Sequence, residues 1–404
     1  MKYTKEEVMQ FVSEEDVKFI RLAFCDVFGK QKNISIMPSE LERAFTYGIA
    51  IDASAVNGFG GEIHSDLFLH PDPDTLASLP WRPEHGKVVW MYCTVAYPDG
   101  TVFENDSRSI LKNAIARAEA AGLSFYFGAE MEFYLFKLDE NGDPLKTPYD
   151  RAGYMDIAPY DKGENIRREI CLALREMGIS PESSHHEEGP GQNEIDFRYS
   201  DALTAADNAL TFRKVVQDIA LQNGLWASFS PKPFDDQPGN GFHINMSVRS
   251  AGEDGGLFDA MIAGVLKNAR AMTVFLNQKE ESYQRLGSHK APKYISWSSE
   301  NRSQLIRIPA ANGEYKRMEL RSPDPRANPY LAFALLIHAA MEGIEENLQL
   351  PAPADVNLYT ADVATVSRFE TLPRTREEAA DAAQSSEFIR SSLPRMMIDA
   401  YCQR

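Results

Sequence analysis

The stretch Ala129–Phe136, AEMEFYLF, is the one from which the rest of the chain is best read. Successive side chains of an extended strand point to opposite faces. Glu130 and Glu132 therefore share one face, and Met131, Phe133 and Leu135 share the other. One strand of this kind is ordinary, because its polar face can meet water. The alternation recurs three more times. NEIDF sets Glu194 and Asp196 against Ile195 and Phe197, and GFHINMS sets His243, Asn245 and Ser247 against Phe242, Ile244 and Met246. RMELR sets Arg317, Glu319 and Arg321 against Met318 and Leu320. A curved antiparallel sheet that gathers these strands collects five or more carboxylates on its concave face. That charge cannot be buried without cations. Oxygen donors with one imidazole suit Mg²⁺ or Mn²⁺ better than Zn²⁺, and no cysteine stands among them.

Arginines concentrate in the same region. YQRL supplies Arg285, NRSQLIRIP supplies Arg302 and Arg307, and RMELR supplies Arg317 and Arg321. Arginines beside metals are suited to holding phosphates and carboxylates. The chain has no GxxxxGK[ST] loop and no GxGxxG after a strand. A nucleotide is therefore expected to be held by metals and arginines rather than by a glycine-rich loop.

Outward from these strands the organisation is simple. Residues 15–100 hold short β-like runs, VKFIRLAFCDVFG and KVVWMYCTVAY, separated by the Pro-rich HPDPDTLASLPWRP. The turn signal YPDGT follows, and then DSRSILKNAIARAEAAGL, apolar at helical spacing after an Asp/Ser cap. Two domains are expected, 1–103 and 104–404, the second alternating strands with amphipathic or buried helices. A chain of 404 residues with 43% hydrophobic content agrees with that. The net charge of −17 excludes nucleic acid and anionic membranes as expected partners. Four dispersed cysteines (Cys25, Cys93, Cys171, Cys402) form no CxxC pair and fit a reducing compartment. With no signal core and no run of membrane-spanning length, a cytoplasmic location is expected.

IDASAVNGF, SDLFLHPDPDTLASLPWRP, AEMEFYLF, AGYMDIAPYDKGENIRREI, SSHHEEGPGQNEIDF, GFHINMS, APKYISWSSENRSQLIRIP and RMELRSPDPRANPYLAFALL, in this order and spacing, resemble type I bacterial glutamine synthetases over nearly the full length. The resemblance implies an α+β fold, a small N-terminal β-grasp-like domain followed by a large catalytic domain with a curved antiparallel sheet. It implies ATP and two or three Mg²⁺ or Mn²⁺ as cofactors, glutamate and ammonia as substrates, and a ring of subunits that share active sites. Glu132, Glu187 and Glu194 would hold the metal nearer glutamate; Glu130, His243 and Glu319 would hold the metal that bridges the ATP phosphates. Arg285 and Arg321 would bind glutamate and the transferring phosphoryl group. Arg302, Arg307 and Arg317 would handle ATP phosphates, with Ser247 near the nucleotide. Gly239 would contact glutamate. Asp52, reaching in from a neighbouring subunit, and Tyr154 would surround the ammonium site.

Four departures bear on the acceptor. Where the family pattern RLxPGYEAP carries a glutamate, this chain reads RLGSHKAP, with Lys290 at that place. A lysine repels ammonium, and ammonium must lose a proton to a carboxylate before it can attack. Ala55 and Ala53 replace a serine and a glycine of FDGSSIxGF. Pro238 replaces an asparagine of NGSGMH and offers no amide donor. The chain also ends with SSLPRMMIDAYCQR, which is read as favouring a single hexameric ring. An organic amine in place of ammonia, giving a γ-glutamyl-amine ligase, is therefore an alternative. A catalytically weak regulatory paralogue is another, disfavoured because all six metal-ligand positions are kept.

Overall fold

The computed structural model describes residues 3–61, 63, 65–81, 86–250, 252, 256–311 and 316–403. The N-terminal part forms a mixed sheet of β1 (Val17–Cys25), β2 (Gln31–Ile36), β3 (Ile49–Asp52), β4 (Asp66–Pro71), β5 (Ala77–Ser78) and β6 (Lys87–Ala96). The order is β2-β1-β6-β4-β3, with β5 also on β6. β1 and β6 run parallel and the other pairs antiparallel. Both strands of the parallel pair are largely buried, as covered parallel strands must be. Helix Lys5–Glu14 starts at a capping box in which Thr4 accepts from the Glu7 amide and Glu7 accepts from the Thr4 amide.

The second sheet has nine strands: β7 (Leu123–Leu138), β8 (Pro144–Pro148), β9 (Pro181–His186), β10 (Gln192–Asp201), β11 (Leu225–Ser228), β12 (Phe242–Ser250), β13 (Trp297–Ser299), β14 (Ile306–Ile308) and β15 (Met318–Leu320). Their order is β13-β14-β15-β12-β7-β10-β9, with β8 and β11 also on β7. All pairs are antiparallel except β13 with β14. The α+β fold, with a smaller first sheet and a large, mainly antiparallel second sheet, agrees with the sequence expectation.

The apolar face of this sheet is filled by Phe127, Met131, Phe133, Ile195, Phe242, Ile244 and Met318, all at most 3% exposed with their backing residues. Phe127 stacks on Phe333 of helix Pro329–Glu345, with centroids 4.2 Å apart. That helix crosses helix Leu257–Leu276 at two glycines. A Cβ on Gly264 would lie 2.0 Å from the Ala339 carbonyl oxygen, and one on Gly343 would lie 2.1 Å from that of Ala260. The two backbones touch, so only glycine fits at either position.

A buried ionic network joins the two parts of the chain. Arg108, on helix Ser107–Ala120, donates to Asp207 at 2.9 and 3.0 Å and to Asp72, just beyond β4, at 2.8 Å. The Tyr330 hydroxyl donates to the same Asp207 carboxylate at 2.5 Å. Among the described residues no helix is long and apolar enough to cross a membrane.

Candidate active site

Strand register brings the charged faces together. Glu130 stands across from Asp196 on β10 and His243 on β12, while Glu132 stands across from Glu194. Glu319 on β15 pairs with Asn245 on one side and Arg307 on the other. Glu130, His243 and Glu319 place ligand atoms within 4.8 Å of one another, as do Glu130, Glu194 and Asp196, and also His185, Glu187 and Glu194. The His243 Nδ1 lies 3.6 Å from Glu130 and 3.7 Å from Glu319.

The electrostatics of this face are those of a site short of positive charge. Burial, then repulsion by Glu132, pushes the Glu187 carboxyl up to about 7. Burial and the neighbouring Glu130 raise Asp196 to about 6. Glu194 is also driven well above its ordinary value, by burial and then by Asp196, Glu132, Glu130 and Glu187. For Glu130 burial acts in the same direction, but hydrogen bonds and charge from His243, with help from Asn245 and Arg321, outweigh it and hold the group at about 2. Crowded carboxylates with a single imidazole fit hard divalent cations, which would neutralise the repulsion that now raises three of them.

Glu319 has no solvent exposure and pairs with two guanidiniums, Arg307 at 2.6 Å and Arg321. Arg285 is buried and donates to the carbonyls of Ser322 (2.8 Å) and Arg321 (3.2 Å). Arg317 donates from Nε to Asn245 at 2.9 Å. A cavity of about 700 Å³ opens beside these groups, lined by Tyr126, Gly128, Tyr199, Ser247, Lys316 and Arg317 among others. Arg302 is exposed, with its carbonyl accepting from the Tyr359 hydroxyl at 3.2 Å. It is the one arginine of the expected set for which no side-chain contact to this face is seen among the described residues.

Glu132 faces the same space, but its Oε2 accepts from the Gly241 amide at 2.6 Å, and His185 is the third member of the Glu187–Glu194 group. The turn beside it is held tightly. Gln192 donates to the Gly239 carbonyl (3.2 Å) and Tyr134 to that of Pro238 (2.7 Å). A Cβ on Gly239 would meet the Pro231 carbonyl at 2.3 Å and Arg285 at 2.9 Å. Glycine is thus required next to Arg285, and Pro238 contributes through its carbonyl, which proline retains.

Behind Glu187 lies a second cluster that the sequence reading missed. His186 is fully buried; Nδ1 faces the Glu187 carbonyl at 2.7 Å and Nε2 faces Asp150 Oδ1 at 2.9 Å. Asp150 also accepts from the amides of Gly191 (2.9 Å) and Lys162 (3.0 Å). Both ring nitrogens point at acceptors, so the imidazole is charged. Burial alone would lower His186, but the Asp150 hydrogen bond, the Glu187 carbonyl and the Asp150 charge hold it above its ordinary 6.5. Burial would raise Asp150, but His186 and the amides hold it below 3.8. The pair's stabilisation is therefore full between roughly pH 4 and 6.5, and it falls as pH rises through the raised His186 value. His186→Gln is expected to lower the urea midpoint most near pH 6, with the deficit shrinking toward pH 9. A deficit independent of pH would show that the imidazole is neutral.

The loop after Arg285 places Lys290 at the mouth of the site. Its ammonium pairs with Glu188 and lies 5.9 Å from the centre of the Tyr154 ring. Tyr154 is half exposed and stands edge-on to His185, with centroids 5.4 Å apart. Asp52 lies far along the chain, exposed at the end of β3, its Oδ1 accepting from the Ser54 amide (3.0 Å) and hydroxyl (2.6 Å). His185 and Asp196 were within reach of sequence reasoning. His185 alternates with Glu187 in HHE, and Asp196 with Glu194 in EID.

Residues 16–98 match the family model described as glutamine synthetase, beta-Grasp domain, and residues 104–404 match glutamine synthetase, catalytic domain. A glutamine synthetase from Clostridium saccharobutylicum is 45% identical over 97% of this chain and 92% of its own length. One from Methanosarcina mazei is 44% identical over 98% and 92%, and one from Staphylococcus aureus is 42% identical over 97% and 91%. A solved structure titled "GmaS/ADP complex-Conformation 1" superposes with a TM-score of 0.88 at 28% identity, covering 98% of this chain and 94% of its own. With the charged face, the arginines and both domains matched, the chain belongs to the glutamine synthetase family and is an ATP-dependent carbon–nitrogen ligase.

Proposed function

We propose that this protein forms glutamine from glutamate and ammonia in the cytoplasm, with ATP as the phosphoryl donor. The observation that carries the reading is the convergence of Glu130, His243 and Glu319 on one face, with Arg307 and Arg321 on Glu319 and the 700 Å³ cavity alongside. Glu130, His243 and Glu319 would hold one divalent cation, Mg²⁺ or Mn²⁺, and Glu132, Glu187 and Glu194 another. Bound there, the cations supply charge neutralisation at the transferring phosphoryl group. The cavity takes the nucleotide, with Ser247 along it and Arg302, Arg307 and Arg317 on the phosphates. Arg285, Arg321 and the Gly239 turn hold glutamate so that its γ-carboxylate meets the γ-phosphoryl in line. The amine then attacks the γ-glutamyl carbon, and phosphate leaves. Tyr154 stands at the amine entrance. Asp52, exposed on the N-terminal sheet, serves the site of a neighbouring copy in a hexameric ring.

A second reading, an organic amine as acceptor, is favoured by the ammonium of Lys290 at that entrance. Phosphate release from ATP and glutamate, measured over ammonium, methylamine, ethanolamine and polyamines, tests both. The expected outcome is release that depends on Mg²⁺ or Mn²⁺ and is fastest with ammonium. A faster organic amine would transfer the assignment to a γ-glutamyl-amine ligase. No turnover with any amine would overturn the ligase chemistry at this site.

A further inference from the structure

The ammonium of Lys290 has a defined seat. It donates to Glu188 Oε1 and faces the Tyr154 ring. The loop that delivers it runs through two consecutive left-handed residues, His289 (φ +42°) and Lys290 (φ +66°). That conformation is unusual for residues with side chains. Arg321 approaches the same loop from within the site, its Nη2 3.5 Å from the Lys290 carbonyl. The seat therefore lies between the loop, Tyr154 and the segment carrying Glu187. A carboxylate beside an aromatic face is the chemistry that selects a primary ammonium ion.

Glu188 stands apart from the groups that converge as metal ligands. Its backbone amide donates to Glu187 Oε2 at 3.0 Å, while its own carboxylate takes the Lys290 ammonium. Its carboxylate remains about one-third exposed, and the Lys290 side chain is about half exposed. The contact is thus open enough to exchange with a ligand from solution.

We infer that Glu188 is the anchor for the protonated acceptor amine, and that Lys290 occupies this seat until the acceptor displaces it. This rests on the ligase reading above and assigns the carboxylate that the 286–291 loop itself lacks. The ligand class is ammonium or a small primary ammonium ion; Lys290 acts as a tethered competitor for it.

The test is the KM for the acceptor, with ATP and glutamate saturating, in the wild type, Glu188→Gln, Lys290→Ala and the double variant. Loss of a charge-assisted hydrogen bond is expected to raise the acceptor KM about tenfold or more in Glu188→Gln. The KM values for ATP and glutamate should be little changed, which separates anchoring from general damage. Lys290→Ala should lower the acceptor KM severalfold, because the internal competitor is gone. In the double variant that gain should vanish. An acceptor KM unmoved in Glu188→Gln, or raised in Lys290→Ala, overturns the inference while amine-dependent phosphate release leaves the ligase reading standing. Absence of amine-dependent release in the wild type overturns both.

Discussion

Glu319→Gln lowers phosphoryl transfer from ATP by about a thousandfold or more, read as phosphate release in a single turnover with saturating Mg²⁺ or Mn²⁺. The carboxylate is fully buried, pairs with Arg307 and Arg321, and lies 3.7 Å from His243. An amide of the same shape keeps one acceptor oxygen but turns an NH₂ toward a guanidinium or a cation. It removes the negative charge that lets Arg307, Arg321 and a metal sit within reach of one another. Glutamine is the informative replacement because alanine would also leave two guanidiniums facing each other in a buried space, costing about 3–5 kcal/mol of stability. Activity retained in the glutamine variant, with the fold intact by circular dichroism, would remove Glu319 from the metal set.

Arg108→Met has its largest effect on stability. The guanidinium is 3% exposed and binds Asp207 through two nitrogens and Asp72 through a third. Burial would lower its pKa, but Asp207, Tyr330 and Asp72 raise it well above the ordinary arginine value. Methionine fills much of the volume and supplies no charge, leaving two acidic groups facing a space that no longer neutralises them. The expected loss is about 3–5 kcal/mol, read as a lower denaturant midpoint. Asp72 follows a strand of the first sheet and Asp207 lies on a helix behind the second, so the same variant should loosen the two parts from each other. Limited proteolysis near residue 100 should then speed up. A loss below about 1 kcal/mol would mean that water reaches the pair and replaces the arginine.

The strands with one charged face were legible because that face is written at period two. Glu130, Glu194, His243 and Glu319 each alternate with an apolar residue that the core requires, so the local pattern and the global packing agree. The pairing of β1 with β6 was not legible, because it is parallel and joins residues some seventy positions apart without a local signal. Nor was the Arg108 network. Its partners Asp72, Asp207 and Tyr330 come from distant segments, and no local pattern links them. The place of His185 depends on where β9 ends and the chain turns into Glu187, which period two alone does not specify. Lys290 could be read as a substitution; its seat on Glu188 depends on a loop whose backbone leaves the usual regions of φ.

The four charged strands carry a parity. The acidic residues on the charged face of β7 have even numbers, 130 and 132, as do Glu194 and Asp196 across the ladder, whereas His243 and Glu319 are odd because their strands begin on the other phase. A missense change at one of these positions removes one charged or polar group from the face. Inserting or deleting one residue inside a strand reverses the parity of everything to one side of it, turning carboxylates into the apolar layer and phenylalanines out to the charged face. The site therefore tolerates length changes only in its connecting loops, and these strands behave as fixed-length words in an otherwise editable chain.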